Sequence, residues 1–579
     1  MVKPNLEVSL PDDTIRLLEP VHSEARSRRW RALGQDGARY EVLFVPGDQD
    51  PGPLLAPEID EGICGWDHIR GPQIDGHTTL VFREDQLQPL SGAMTRQEPW
   101  SAARRFEVVL ALGELFEMLH VIGEALVIHG NLEAFGLRQD GARFQVVMRW
   151  PELLYPSTAP PTPGSLRSYG LDAPEVTGQV VRPLDQRADV FMLGVLTYAL
   201  LTGVLPSPGL ETLTERLPLM RAFDPQIPLG VERCVRRAIA RTPEARHPSV
   251  TDFLQALRQA WAQSQDRALV GEDKRVWLNY ASVSAIGRTK RTHHPINQDA
   301  HLEVFDPAVG WGFFGVMDGV SRSDVGSGEM ASWVARTTAE AQWNQKCQTP
   351  IYGRRFEAQT PFPTAFLGAI AHRAHERVLE WLEMLRRANP DDAHKRSTLA
   401  TTFSAMGLFG DRCALCTVGD SPVYLIRLDP EDEGGSSIEL LSAAQNEALF
   451  QMRQGVAPAQ ALGQPGANWL AMAVGKVRWE QDQPQGVALE PELWSFRLKP
   501  GDLLLLSSDG VPDAFGSGAE RAILEVLEGV LGVHWPGTIR SEAELTAAAR
   551  ALVREADARG GRDNLTAILV AVGPPEEEP

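Results

Sequence analysis

Four aspartates, far apart in the chain, stand where apolar runs begin or end. Asp509 follows the four leucines Leu503 to Leu506, and Asp318 follows the run Trp311 to Met317 and precedes Gly319. Asp299 closes Asn297-Gln298-Asp299 ahead of the alternating stretch His301 to Phe305. Asp563 lies in Gly560-Gly561-Arg562-Asp563-Asn564 ahead of the apolar run Leu565 to Val572. An unbroken apolar run of this length predicts a strand buried on both faces. A carboxylate at the end of such a strand is costly to bury unless it is neutralised. Magnesium and manganese prefer carboxylate, carbonyl and water oxygens and need no histidine or cysteine. One Asp-Gly pair signals only a turn; four acids in this setting together predict an oxygen-only metal cluster.

The order of these segments resembles the metal-dependent type 2C Ser/Thr protein phosphatases. Asn297 to Asp299 matches that family's first acidic box. Val316-Met317-Asp318-Gly319 with Gly328-Glu329-Met330-Ala331-Ser332 matches its second, and Thr417-Val418-Gly419-Asp420-Ser421 with Tyr424 its third. The Asp509 segment and Gly561-Arg562-Asp563-Asn564-Leu565-Thr566 complete five boxes in order over roughly half the chain. The resemblance implies an α/β/β/α sandwich of two antiparallel sheets flanked by helices. It also implies two or three Mg2+ or Mn2+ ions, with hydrolysis of phosphoserine or phosphothreonine by a water that two ions activate. In that family's pattern Asp318 bridges two ions, and Asp509 and Asp563 complete the first. The Gly319 carbonyl and waters complete the second, and Asp299 holds those waters. Asp420 helps Asp509 hold a third ion, with a turn-capping aspartate as the alternative, and Asn564 orients Asp563.

Phosphate recognition calls for an arginine fork, placed by the family a few residues before the first box. Here Gly287 to His294 forms a longer segment, so Arg288 and Arg291 both qualify and Arg291 is preferred. His293 and His294 are either proton donors or a solvated loop pair. The chain departs from the family at several positions. The turn reads Asp318-Gly319-Val320-Ser321-Arg322, without the histidine that many eukaryotic members carry after the Asp-Gly pair, Pro422 replaces an arginine, Gln298 replaces a glutamate, and Leu441 to Asn446 replaces a Thr-x-Asp-His segment. None of these removes a direct metal ligand.

Strands must carry these acids, and two long amphipathic helices are predicted between them, from Gly328 to about Gln342 and from about Pro363 to Arg387. At 579 residues the chain is too long for one core. Its composition, 43% hydrophobic and 23% charged, is that of an ordinary globular protein. A net charge of -20 argues against a nucleic-acid partner. Five scattered cysteines fit a reducing compartment, and Cys413 and Cys416 read as structural. Met1 to Leu10 lacks the apolar core of a signal peptide. The run Val190 to Pro206 reads as a buried helix, not a membrane span. A cytoplasmic protein is expected.

The first half is strand-rich to about Pro89 and helical from Pro99, and resembles a bilobal protein-kinase fold. Leu119-His120 and Val127 to Leu132 resemble the catalytic loop. Ala173-Pro174-Glu175 resembles the APE box, Asp189 to Val195 the start of the central helix, and Pro243 to Pro248 the closing box whose Arg246 pairs with Glu175. The parts phosphoryl transfer needs are replaced: Asn131 stands at the base position, Gly136 at the magnesium-binding asparagine, Val146 to Trp150 at the DFG segment, and Leu43 or Phe44 at the strand lysine. These losses predict a pseudokinase over residues 1–258, a linker over 259–273, a phosphatase domain over 274–574 and an acidic tail over 575–579. The expected whole is a phosphatase acting on a phosphoprotein in a Ser/Thr kinase pathway, with a regulatory or docking kinase-like domain. The alternatives are a non-catalytic scaffold and a bifunctional kinase–phosphatase, which ATP-dependent labelling would reveal.

Overall fold

Leu503 to Ser507 forms a strand in which all five side chains are buried, in the computed structural model of the chain. The structure describes residues 5–10, 14–23, 28–46, 68–70, 73–83, 88–94, 100–121, 125–127, 132–140, 143–148, 154–157, 160–163, 171–206, 217–267, 276–307, 310–320, 327–347, 362–388, 399–427, 436–480, 483–516, 518–532 and 540–575. Two compact units divide the chain: the first is Met1–Met220, Gln226–Trp261 and Ala457–Ala459, and the second is Arg221–Pro225, Ala262–Val456 and Gln460–Pro579.

In the second unit the leucine strand lies in the middle of a five-stranded sheet. Its order is Val276–Ile286, Asn564–Pro575, Leu503–Ser507, Val423–Arg427 and Ser437–Leu440, every pairing antiparallel. A second five-stranded sheet runs Asp299–Asp306, Trp311–Asp318, Phe403–Phe409, Arg412–Val418 and Glu492–Arg497, also antiparallel. The sheets meet through Tyr280, whose ring lies 5.1 Å from that of Phe314. Helices Gly328–Cys347 and Phe362–Ala388 cover the outer face of one sheet around Phe313, Trp343, Leu367 and Phe403. Helices Ala519–Leu531 and Glu542–Ala558 cover the other around Leu505, Leu527, Leu552 and Leu569. Sheets covered in this way need strands apolar on both faces, which explains the continuous burial of Phe403–Phe409 and Arg412–Val418. The helix starting at Gly328 runs five residues beyond the expected end, because Trp343 stacks on Phe313 at 4.7 Å.

Cys413 and Cys416 are free and fully buried in one strand, three residues apart and therefore on opposite faces. Burial pushes both thiols up, so neither is a reactive pair member.

The first unit opens with a six-stranded antiparallel sheet in the order Glu7–Ser9, Thr14–Ser23, Arg28–Gly34, Arg39–Pro46, His77–Arg83 and His68–Arg70. Helices follow at Ala102–Val121, Gln186–Thr202, Leu229–Ala238 and Val250–Arg267. Gln186–Thr202 is buried from Ala188 to Thr202, as an all-round apolar helix must be. Among the described residues, no helix is long and apolar enough to cross a membrane. Arg246 grips Glu175 with both arms, at 2.6 and 2.9 Å, and both side chains are buried. Asp189 accepts from the Val127 amide at 3.0 Å and lies 2.7 Å from His120 Nε2. Leu43 and Phe44 are buried in their strand, and Gly136 pairs with Val147. Asn131, Arg149 and Trp150 lie outside the described residues, as do Ser321 and Arg322 and most of the acidic tail.

The expected linker over 259–273 is helical as far as Arg267. Trp261 anchors this helix by stacking on Phe106 at 4.1 Å.

Candidate active site

The strand register brings the acids together. Asp299 and Asp318 are directly paired across neighbouring antiparallel strands. The Gly319 amide donates to the Gln298 carbonyl at 3.1 Å, and Ser332 Oγ donates to the same carbonyl at 2.6 Å. A Cβ on Gly319 would lie 2.2 Å from the Gly328 carbonyl oxygen, so the Asp-Gly turn and the start of the following helix touch only because both residues are glycines. On the far side of Asp318, its carbonyl accepts from the Thr402 amide and Thr401 Oγ1, both at 2.8 Å. Its amide donates to Thr402 Oγ1 at 2.9 Å.

Asp509 sits where the leucine strand gives way to the helix Gly510–Phe515. The Ser508 amide donates to the Thr566 carbonyl at 3.1 Å and the Thr566 amide to Ser508 Oγ at 3.0 Å. Gly510 is pressed so close to Asn564 that an added Cβ would stand 2.2 Å from its carbonyl oxygen and 3.0 Å from Asp563 Cβ. Asp509 and Asp563 are thus neighbours. Thr566 Oγ1 donates to Asp299 Oδ2 at 2.6 Å, which links the terminal box to the first. Asn564 adds a second link, its Oδ1 accepting from the Gln298 amide at 3.4 Å, while its own amide donates to Asp563 Oδ1 at 2.7 Å.

Asp420 follows Gly419, whose φ of +100° suits glycine alone. The Gly419 amide donates to Gln445 Oε1 and the Gln445 amide to the Gly419 carbonyl, both at 2.9 Å. Gln445, in the segment that replaces Thr-x-Asp-His, therefore fixes this turn, a role the sequence analysis did not assign. Asp513 was missed as well. It lies one helical turn after Asp509, and its charge raises Asp509 and Asp420. The signal was the i, i+4 spacing of two acids.

These carboxyls keep a part-exposed edge toward solvent but are crowded by protein and by each other. Burial, then the charges of Asp299, Asp509 and Asp563, raises Asp318 well above the carboxylate range. Burial, then Asp420 and Asp513, pushes Asp509 up to about 8. Asp420 is pushed to about 6 by burial. Burial likewise moves Asp299 to about 6, against hydrogen bonds from Thr566 and Ser508 and the charge of Lys290, which lower it.

The basic segment behaves differently from its reading in the sequence. Arg291 is exposed and donates to the Ile286 carbonyl at 2.8 Å, and Arg288 donates to the Ala558 carbonyl at 2.7 Å. His293 is exposed, and His294 has a buried Nδ1 without a hydrogen-bond partner. The cation directed at the acids is Lys290, a buried residue whose ammonium pairs with the Asp563 carboxylate.

The donor chemistry fits a hard cation: carboxylates only, with Asp318 and Asp299 raised by burial and Asp299 Oδ1 buried and lacking any hydrogen-bond partner. Among the described residues, however, no three His, Cys, Asp or Glu side chains are gathered into an ion-holding set. Asp563 is turned instead to Lys290.

Residues 286–546 match the family model described as protein phosphatase 2C. Protein phosphatase PhpP of Streptococcus pneumoniae is 24% identical over 196 residues, which cover 34% of this chain and 67% of PhpP. Serine/threonine-protein kinase Pkn1 of Myxococcus xanthus is 37% identical over 89 residues, covering 14% of this chain. The chain spans 13% of Pkn1 and 3% of another curated relative that it matches. Of the solved structures, the serine/threonine phosphatase PstP/Ppp of Mycobacterium tuberculosis aligns with 52% of this chain and 100% of its own, at 21% identity and a TM-score of 0.37. A PstP catalytic domain in complex with two manganese ions aligns with 52% of this chain and 99% of its own, at 22% identity and a TM-score of 0.35. Over residues 286–546, the C-terminal half of the chain carries a domain of the protein phosphatase 2C family.

Proposed function

We propose that the chain is a Mg2+- or Mn2+-dependent protein Ser/Thr phosphatase, its catalytic domain spanning residues 274–574. The observation that supports this reading is the crowding of acids from the sequence boxes, where burial and neighbouring charge raise Asp318, Asp509, Asp299 and Asp420. Asp318, Asp509 and Asp563 would hold one ion. Asp318, the Gly319 carbonyl and waters positioned by Asp299 would hold a second, and Asp420 with Asp513 and Asp509 a third. When bound, the ions supply the positive charge that a phosphomonoester dianion requires and make a water acidic enough to attack phosphorus. Asp299, with Oδ2 fixed by Thr566 and Oδ1 unpartnered, is set to accept a proton or a water hydrogen bond. The Thr401 and Thr402 hydroxyls hold the Asp318 backbone in place. Lys290 is the cation best placed for the phosphoryl oxygens, with Arg291 and Arg288 as the outer pair.

Residues 1–258 form in this reading a kinase-like domain without catalysis that docks a partner or biases the phosphatase. The Glu175–Arg246 clamp and the Asp189 contacts support a preserved kinase scaffold. Leu43 and Gly136 support the loss of its chemistry. The substrate class is a phosphoprotein, and the short match to Pkn1 supports a place in a Ser/Thr kinase pathway.

Turnover of a phosphothreonine peptide with added Mn2+ tests the assignment, comparing wild type with Asp318→Ala and Asp563→Ala. Loss of at least about a hundredfold in both is expected; equal rates in all three would refute it. A second reading, a non-catalytic scaffold, is favoured by the lack of a gathered ion-holding set among the described residues. Mn2+ binding without turnover would establish it.

A further inference from the structure

We infer that Lys290 is a resident counter-ion that competes with the metal for Asp563 and so sets the metal affinity of the site, an inference that rests on the reading of the aspartates as metal ligands. The Lys290 side chain is 8% exposed, and its ammonium donates to Asp563 Oδ1, the same oxygen that accepts from the Asn564 amide. A cation approaching Asp563 must therefore displace the ammonium or share the carboxylate with it. The charge of Lys290 also reaches Asp299 and opposes the burial that raises it. A dipositive ion placed among these acids would repel the ammonium as well as compete with it.

The backbone makes this competition persistent. The Thr289 and Lys290 amides both donate to the Gly561 carbonyl, at 3.0 and 3.1 Å, and the Gly287 amide donates to the Asp563 carbonyl at 3.1 Å. A Cβ on Gly287 would lie 2.4 Å from the carbonyl oxygens of Gly561 and Asp563, so the loop carrying the lysine is pressed onto the turn carrying its partner. Arg288 and Arg291, spent on backbone carbonyls, do not substitute for it. A lysine suits the role: a compact charge on a flexible four-carbon stem can leave one carboxylate oxygen and return to it, where a planar guanidinium would lock on in a fork.

The test is Mn2+ binding by the full chain, read from the electron paramagnetic resonance signal of the free ion at fixed pH and salt. Lys290→Gln is expected to bind the tightest Mn2+ about tenfold more tightly than wild type, the effect of removing one charge-assisted contact that the ion must break. Lys290→Arg, which keeps the charge, is expected to bind no more tightly than wild type. The rise in melting temperature on adding Mn2+ should be larger for Lys290→Gln than for wild type, and this reads the same affinity even if that variant folds only with the ion present. Equal or weaker Mn2+ binding by Lys290→Gln overturns the inference while leaving the metal site intact. No Mn2+ binding by wild type or either variant overturns both.

Discussion

Replacing Asp318 by asparagine should stabilise the chelated protein while destroying its response to metal. The amide keeps the shape of the side chain and removes an ionisable carboxyl from a position where burial and the charges of Asp299, Asp509 and Asp563 oppose its ionisation. Asp509 gives the scale of that crowding. Moving a carboxyl from 3.8 to about 8 corresponds, at about 1.36 kcal/mol for each tenfold change, to a cost on the order of 5 kcal/mol for holding it charged near neutral pH. Burial contributes the largest share of that cost, and relief of about 1–3 kcal/mol is expected from no longer confining one ionisable carboxyl among these acids. For a domain of roughly 300 residues this corresponds to a rise of about 2–5 °C in melting temperature. The assay is thermal unfolding of wild type and Asp318→Asn in excess chelator and again in excess Mn2+. In chelator the variant should melt higher; in Mn2+ wild type should rise past it, because binding to the folded state alone adds stability by mass action. A variant that melts lower than wild type in chelator would refute the reasoning, since Asp318 would then be satisfied by its surroundings instead of strained by them.

The pH dependence has a definite sign. Asp509, Asp299 and Asp420 have folded values of about 8, about 6 and about 6 against 3.8 ordinarily, so their contribution to stability is fully present below about pH 4. It is lost as pH rises through about 6 and then about 8. Denaturant unfolding in chelator should therefore show this contribution falling across that window, and calorimetry in buffers of different ionisation heat should show protons released as Mn2+ binds; no proton release near neutral pH would contradict it. In the first unit, Glu175→Ala leaves Arg246 buried with its carbonyl partners Ala240, Arg187 and Arg241 and the Phe191 ring 4.7 Å away. A loss of about 3 kcal/mol, at the lower end for a broken buried pair, is expected in denaturant unfolding, and a loss under about 1 kcal/mol would mean that the clamp adds little.

The acids were legible because each one interrupts a pattern. Four buried leucines ending in Asp509, or Trp311 to Met317 ending in Asp318, announce a strand end bearing a charge, and strand ends in paired sheets converge. Asp513 and Gln445 interrupt nothing: the first is one more acid on a short helix, the second a polar residue in a loop, and each gains its meaning from a neighbour supplied by the fold. The helical part of the linker, as far as Arg267, was hidden for a related reason. Polar composition marks an exposed surface, and an exposed helix face and a loop share it; only Trp261 distinguished them.

Lys290 was missed because the expected cation was located by counting back from Asn297. That count assumes the segment is held by its C-terminal end. In the structure it is held by the other end: Gly287, Thr289 and Lys290 are bonded to the turn Gly561 to Asp563, and Ile286 pairs with Asn564 in the sheet. Counting forward from Gly287 places the basic residue of the site three positions on, at Lys290, and leaves the extra residues as an excursion between His293 and Asn297. The relevant distance in a loop is thus measured from the residues that are bonded, and Gly287, whose backbone approach admits no side chain, was the visible mark of that end.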